Sequence, residues 1–119
     1  MGWFRRWLRR LGETDEMRLA EETRAWADGI EGSVRIADAP LRQPVRVAGV
    51  IRRMTVLPME GREALQALIS DGTGEVTAVF MGRRGIGGLS LGTRVVIEGV
   101  PGEHRGEIRI VNPRLEFAG

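Results

Sequence analysis

The chain contains 119 residues, which is enough for one compact domain and an appendage. Its 18 basic residues are all arginine, Cys is absent, and His104 is the single histidine. These counts exclude catalysis through a lysine amine, a zinc cluster of Cys and His, and a disulfide framework within the chain. The composition therefore predicts a cytoplasmic binding protein that uses no cofactor and has no catalytic residues.

Charge is unevenly distributed at the N-terminus. Residues 1–10 carry four arginines and no acid, whereas residues 11–28 carry six acids and two arginines. In the first segment the apolar side chains recur at helical spacing on the side opposite the arginines, and they are Trp3, Phe4, Trp7, Leu8 and Leu11. We predict that residues 1–28 form a helical extension, in which a basic amphipathic helix ends near Gly12 and an acidic helix begins near Thr14.

The apolar face of the basic helix is too large to remain in water without a partner. It can pack on the acidic helix, on another copy of the chain or on a different protein. It can also lie on an anionic membrane surface, where Trp and Arg suit the interface, or bring its arginines to nucleic-acid phosphates. Arginine pairs interrupt the apolar residues, so the sequence predicts no membrane-spanning helix.

Residues 29–43 are mixed in composition, and we predict a connecting segment with a short strand at residues 33–37. From residue 44 onward, apolar and polar residues alternate as in half-buried strands. Five strands are predicted, at residues 45–52, 64–70, 75–81, 94–99 and 107–111. A tight turn follows the second strand and a longer, Gly-rich crossover follows the third. The pattern predicts a mainly β domain over residues 44–119, folded as a five-stranded Greek-key barrel.

Three stretches of this domain, residues 45–53, 65–79 and 91–99, resemble the OB-fold family typified by the anticodon-binding domain of aspartyl- and lysyl-type tRNA synthetases. The glycines of these stretches fall where barrel geometry requires them, and they are Gly49, Gly72, Gly74, Gly92 and Gly99. The whole chain is also similar to small actinobacterial proteins described as OB-fold nucleic-acid-binding proteins. The resemblance covers about residues 44–117 and implies an OB barrel there, with single-stranded DNA or RNA as partner. The one or two α-helices predicted from the N-terminal spacing precede this barrel.

In the synthetase domains, an aromatic residue on the second strand stacks on a base and a glutamine on the third strand reads one. The aromatic position is occupied here by Gln66 and the glutamine position by Thr77. Both departures argue against anticodon recognition. The family also has an arginine after the first strand, which Arg52 or Arg53 matches, so the resemblance implies a phosphate or base contact there.

Strand parity divides the barrel residues into two faces. The inward positions are Val45, Val47, Ile51, Ala67, Ile69, Val76, Ala78 and Phe80, and the outward positions are Arg46, Arg52, Gln66, Leu68, Thr77 and Val79. The outward face is only mildly basic and carries no aromatic platform. We therefore expect that any binding of single strands is weak and not sequence-specific.

Two further pairs lie in predicted loops. Arg83 and Arg84 are flanked by glycines after the third strand, and His104 and Arg105 lie between the fourth and fifth strands. Arginines in such loops can bind phosphates through two hydrogen bonds. The alternative is that both loops are ordinary solvated turns.

The sequence thus predicts a non-catalytic OB-fold module that binds single-stranded DNA or RNA through arginine–phosphate contacts. The candidate residues are Arg46, Arg52, Arg53, Gln66, Thr77, Arg83, Arg84, His104 and Arg105. The alternative is a protein-interaction or membrane-peripheral adaptor that works through its N-terminal Trp/Arg helix.

Overall fold

A computed structural model describes residues 2–118 of the chain, without the side chains of residues 3–14. One helix, α1 (Gly2–Asp28), comes first and a single 3₁₀ turn (Ile36–Asp38) follows it. The remaining elements are strands: β1 (Val45–Met59), β2 (Arg62–Ser70), β3 (Glu75–Met81), β4 (Arg94–Gly99), β5 (Pro101–His104), β6 (Glu107–Val111) and β7 (Arg114–Phe117). The mainly β fold predicted from the alternating pattern is confirmed.

The strands form one curled sheet in the order β5-β6-β3-β2-β1-β4-β7. The β3–β6 pair is parallel and every other pair in this order is antiparallel. β4 and β5 lie near opposite ends of the order, yet only Val100 separates them in the chain. The two ends of the sheet must therefore meet, which is the closure expected of an OB barrel.

The described strands number seven rather than the five predicted, for two reasons. β5 (Pro101–His104) forms in the stretch predicted as the loop between the fourth and fifth strands, where it pairs with β6. β7 is an additional edge strand that pairs with β4. The predicted Greek-key barrel is otherwise retained.

The barrel core consists of the side chains that strand parity places inward. All eight are buried in one cluster, and Ala67 and Ala78 are fully inaccessible. Gly49 has a steric role in β1, because a Cβ there would lie 2.6 Å from Ile69 Cγ2 and 2.7 Å from the Ser70 carbonyl oxygen. Only glycine allows β1 and β2 to approach this closely in the middle of the barrel wall.

The N-terminal extension is a single helix, which corrects the prediction of two helices separated at Gly12. A glycine inside a helix costs about 1 kcal/mol relative to alanine but does not break the backbone hydrogen-bond ladder. The basic and acidic segments consequently follow each other along one axis. The basic segment cannot fold back onto the acidic one, so this alternative for covering its apolar face is removed.

Residues 33–37 do not form the short strand predicted for them. The backbone turns instead into the 3₁₀ helix, where the Ile36 N–H donates to Asp71 Oδ2 at 2.8 Å. Asp71 follows β2 and is nearly inaccessible. This contact between residues far apart in sequence overrides the local β propensity of the segment.

The last turns of α1 pack on the outer wall of the barrel formed by β1 and β4. Ala27 is buried there with Ala48 and Val96. The Arg94 guanidinium carbon lies 4.9 Å from the centre of the Trp26 ring, which is a cation–π contact. The helix therefore covers one wall of the barrel and leaves the wall made by β2, β3 and β6 open.

Candidate functional site

Two rows of paired residues cross the open wall. Because paired residues share a face of the sheet, each row can be followed from strand to strand. One row is Arg53, Leu68, Thr77 and Arg109, and the other is Thr55, Gln66, Val79 and Val111. They enclose a groove of about 190 Å³ lined by Arg53, Thr55, Leu57, Gln66, Leu68, Thr77 and Glu107. We refer to these seven residues as the groove.

A β-bulge decides which arginine of β1 reaches the groove. The register between β1 and β2 shifts between Ile51 and Arg53, so that Arg52 is an extra residue. Arg53 pairs with Leu68 and lines the groove. Arg52 lines the crevice between α1 and the barrel, beside Ala20. Strand parity predicted Arg52 on the binding face because it assumes uninterrupted alternation, which the bulge breaks.

The floor of the open wall is formed by β3. Strand parity places Thr77 and Val79 outward, and they do lie on this face, but they are buried, at 3% and 0% exposure. β3 lies between β2 and β6, and the side chains of these two strands flank the shorter side chains of β3. Thr77 therefore supports the groove from below and is not an exposed reading residue.

Glu107 is an ionised acid within the groove. The Thr77 hydroxyl donates to its Oε1, and Arg109 Nε donates to its Oε2 at 3.3 Å. The hydrogen bond from Thr77, together with the charges of Arg109 and Arg53, lowers the pKa of Glu107 below its usual value, although partial burial opposes this. The carboxylate therefore carries a negative charge at neutral pH.

Replacing Thr77 by valine is expected to raise the pKa of Glu107, because the hydroxyl that stabilises the ionised form is lost. A pKa depressed by folding contributes stability above the unfolded value, here 4.5, and the contribution is lost as pH falls through the folded pKa. T77V should therefore lose less stability than the wild type as the solution is acidified. A ¹³C NMR titration of the side-chain carboxyls measures the shift, and an unchanged Glu107 pKa would contradict this hydrogen bond.

The hairpin of β1 and β2 forms one side of the groove. β1 continues to Met59, well past the end predicted for the first strand. Gln66 is half-buried, and its Nε2 donates to Met59 Sδ at 3.3 Å, so the amide is held against the hairpin. Leu57 is 44% exposed and presents an apolar surface next to this amide.

Arg46 lies on the covered wall, apart from Gln66 and Thr77. Its guanidinium contacts Glu98 at 2.6 Å and Glu116 at 3.3 Å, and its Nε donates to the Glu31 carbonyl oxygen at 3.1 Å. Hydrogen bonds to Glu98 and then to Glu116 raise the pKa of Arg46. This arginine joins β1, β4 and β7 to the segment after α1, so the structure gives it a role in holding the fold.

The other predicted residues lie at two separate places. Arg84 contacts Glu63 at 3.3 Å, and Arg83 lines a hollow of about 440 Å³ with Phe80 and Phe117 at an end of the barrel. His104 pairs with Glu107 across the β5–β6 hairpin and therefore shares its face, while Arg105 lies in the turn with a φ of 51°. The structure thus places His104 on the same face as Glu107 and Arg105 in the adjoining turn, while the Arg83–Arg84 pair lies elsewhere.

The remaining candidates belong to α1. The side chains of Trp3, Phe4, Trp7, Leu8 and Leu11 lie outside the described residues. In the part of the chain that the structure describes, no helix has a stretch apolar and long enough to cross a bilayer. Within the same part, no three acidic or histidine side chains come together as a set of metal ligands.

Sequence reasoning missed Glu107, Arg109, Thr55 and Leu57. The acid and Arg109 stand two positions apart in the predicted last strand, which puts them on one face, but nothing in the sequence says that this face adjoins β3. Thr55 and Leu57 fall beyond the predicted end of the first strand. The signal that would have included them is the continued alternation of residues 53–57 after the bulge.

The fold and the open groove define the class of the domain: it is an OB-fold domain. It is similar to a chain in the structure of a Replication Protein A heterotrimer bound to ssDNA, with a TM-score of 0.51 and 12% identity over 75% of this chain and 67% of that chain. It is also similar to the OB domain of Ta0387 from Thermoplasma acidophilum, with a TM-score of 0.54 and 21% identity over 71% and 85% of the two chains. No family model and no curated protein matches the chain. At these identities the likeness establishes the fold.

Proposed function

We propose that the chain is a non-catalytic module that binds single-stranded DNA or RNA in the groove between the β1–β2 and β5–β6 hairpins. One observation carries this proposal: α1 covers the β1–β4 wall, and the wall left open holds a groove that Arg53 lines. Grooves that follow a nucleic-acid backbone use such cations for the phosphates. The Replication Protein A heterotrimer to which this chain is similar was solved bound to ssDNA, which supports the proposal.

The chemistry of the groove predicts weak binding. Among the aromatic side chains that the structure describes, Trp26 packs on the covered wall, Phe80 is in the core and Phe117 lines the hollow at the barrel end. None of these three can stack on a base in the groove. Stacking on an aromatic ring contributes about 1–3 kcal/mol per base, so its absence leaves arginine–phosphate contacts as the main source of affinity.

We expect binding of a fluorescein-labelled oligothymidylate to weaken steeply between about 50 mM and about 200 mM salt. Arg53→Gln should weaken binding and reduce the slope of log K against log salt by about 1, the change expected for one lost phosphate contact. Fluorescence anisotropy measures both quantities. Arg53 is exposed and lines the groove, so its replacement should leave the fold intact.

Arg114→Gln is the matched control. Arg114 is also an exposed strand arginine, but it pairs with Glu98 on the covered wall, beside Arg46. Arg114→Gln removes the same charge as Arg53→Gln but at a site away from the groove. It should therefore change the slope of log K against log salt much less than Arg53→Gln does. Equal effects of the two variants would mean that binding follows net charge alone, and absence of binding at low salt would overturn the proposal.

The adaptor function of the N-terminal helix stays a prediction. It depends on side chains of residues 3–14, and sedimentation with anionic liposomes or sedimentation velocity of the full chain would test it.

A further inference from the structure

We propose that Glu107 makes the groove prefer guanine over the other bases, by accepting hydrogen bonds from the N1–H and N2–H₂ groups of its Watson–Crick edge. This inference rests on the proposed function and specifies which bases the groove takes. It concerns a residue that lies beside the phosphate-binding arginines and carries the opposite charge.

Glu107 carries a negative charge in the groove. An ionised carboxylate repels phosphate, so no phosphate of a bound strand can lie over it. The phosphates must instead run towards Arg53, the arginine that lines the groove. A strand oriented in this way turns a base, rather than its backbone, towards Glu107.

Glu107 can still accept further hydrogen bonds. A carboxylate has about four lone-pair sites. Thr77 uses one on Oε1 and Arg109 uses one on Oε2, so each oxygen keeps one acceptor site. Its side chain is 40% exposed and lines the groove. Two neighbouring acceptors match two neighbouring donors.

The bases differ in the hydrogen-bond donors that their Watson–Crick edges offer. Guanine presents two adjacent donors on its Watson–Crick edge, whereas thymine and uracil present one N–H between two carbonyl oxygens that the carboxylate would repel. Adenine and cytosine each offer one amino group next to an acceptor nitrogen. Guanine is consequently the one base whose edge offers a donor to each free acceptor site.

The size of the groove limits how many bases it can hold. An apolar cavity of about 150 Å³ is known to hold one benzene ring. The groove, at about 190 Å³, therefore accommodates one base ring and not a row of them. Leu57 and Leu68 give the apolar surface against which the faces of that ring can pack. The preference should accordingly be for one guanine within a strand.

The test uses labelled nonathymidylates with a central thymidine, deoxyguanosine, deoxyinosine, deoxyadenosine or deoxycytidine. The guanosine strand should bind the wild-type chain about tenfold more tightly than the all-thymidine strand, within the range for a bidentate pair. Inosine lacks only the N2 amino group and should lose part of this gain. Adenine and cytosine should gain less than guanine.

Glu107→Gln should change two measurements in opposite directions. Removal of the negative charge should tighten binding of the all-thymidine strand, while the preference for guanosine should disappear, and a merely unfolded variant would not show this combination. The control is Glu103→Gln, which removes an equal charge on the same hairpin at an exposed position that pairs with Ile108 rather than facing the groove. It should keep the guanosine preference.

The outcomes separate this inference from the proposed function. Binding of all five strands with equal affinity to the wild type would overturn the role of Glu107 and leave the binding function standing. Inosine binding as tightly as guanosine would also overturn the two-donor contact. No binding of any strand at low salt would overturn both proposals.

Discussion

Asp71→Ala is expected to lower the free energy of unfolding by about 3–5 kcal/mol, because the carboxylate is the hydrogen-bond acceptor for three backbone N–H groups at a buried position. The N–H of Ile36 donates to Oδ2 at 2.8 Å, and those of Thr73 and Gly74 donate to Oδ1 at 2.8 and 3.2 Å. Each buried donor left without an acceptor costs about 1–3 kcal/mol. Urea denaturation followed by circular dichroism measures the loss.

A second variant distinguishes the two oxygens of Asp71. Asp71→Asn keeps an oxygen for the turn that joins β2 to β3 but places an amide N–H₂ opposite the Ile36 N–H, so it should lose about 1–3 kcal/mol. Asp38→Ala removes an exposed acid from the same 3₁₀ segment and should change stability by less than about 0.5 kcal/mol. If Asp71→Ala were no more destabilising than this control, Asp71 would not fix the segment before β1 onto the barrel.

Gly72→Ala is expected to destabilise the fold by about 2–4 kcal/mol. Gly72 has a φ of 86°, which disfavours any residue with a Cβ, and a Cβ there would overlap the Ala20 carbonyl oxygen in α1. The strained backbone and the forced movement of α1 each add to the cost. Because α1 would have to move off the barrel, Trp26 fluorescence should change along with stability.

Gly61→Ala separates these two contributions. Gly61 has nearly the same φ, 77°, in the β1–β2 turn, but no atom lies within 4 Å of the position of its Cβ. This control should show the cost of the left-handed backbone alone, about 1 kcal/mol, and leave α1 in place. Equal losses in both variants would mean that α1 does not pack closely on Gly72.

These two contacts bear on function because they hold α1 and the connecting segment on one side of the barrel. Loosening α1 would expose the β1–β4 wall and its crevice, where Arg52 lies. We therefore expect Gly72→Ala to alter single-strand binding less than Arg53→Gln does, provided that the barrel remains folded.

Much of the barrel was predictable, because the period of two along each strand assigns every side chain to a face regardless of its neighbours. Val47, Ile69 and Ala78 were placed in the core on this basis, and all three are buried there. The helix boundary at Gly12 was wrong, because the cost of one glycine is smaller than the gain from continuing the helix.

The candidate site was harder to predict, because it depends on which strands become neighbours. Gln66 and Thr77 were named from resemblance and lie together on the open wall, but Thr77 is buried beneath its neighbours. Arg52 and Arg46 point elsewhere, the first because of a bulge and the second because Glu98 and Glu116 bind it.

The amino-acid sequence by itself determined the fold class, the inward residues and the kinds of chemistry available, since these follow from composition and local periodicity. The tertiary structure alone decided that Arg53 and Glu107 share a groove. Their strands are far apart in sequence and are brought to one wall by the parallel pairing of β3 with β6 and the bulge at Arg52. It also decided which wall is covered, because α1 packs on the wall of β1 and β4.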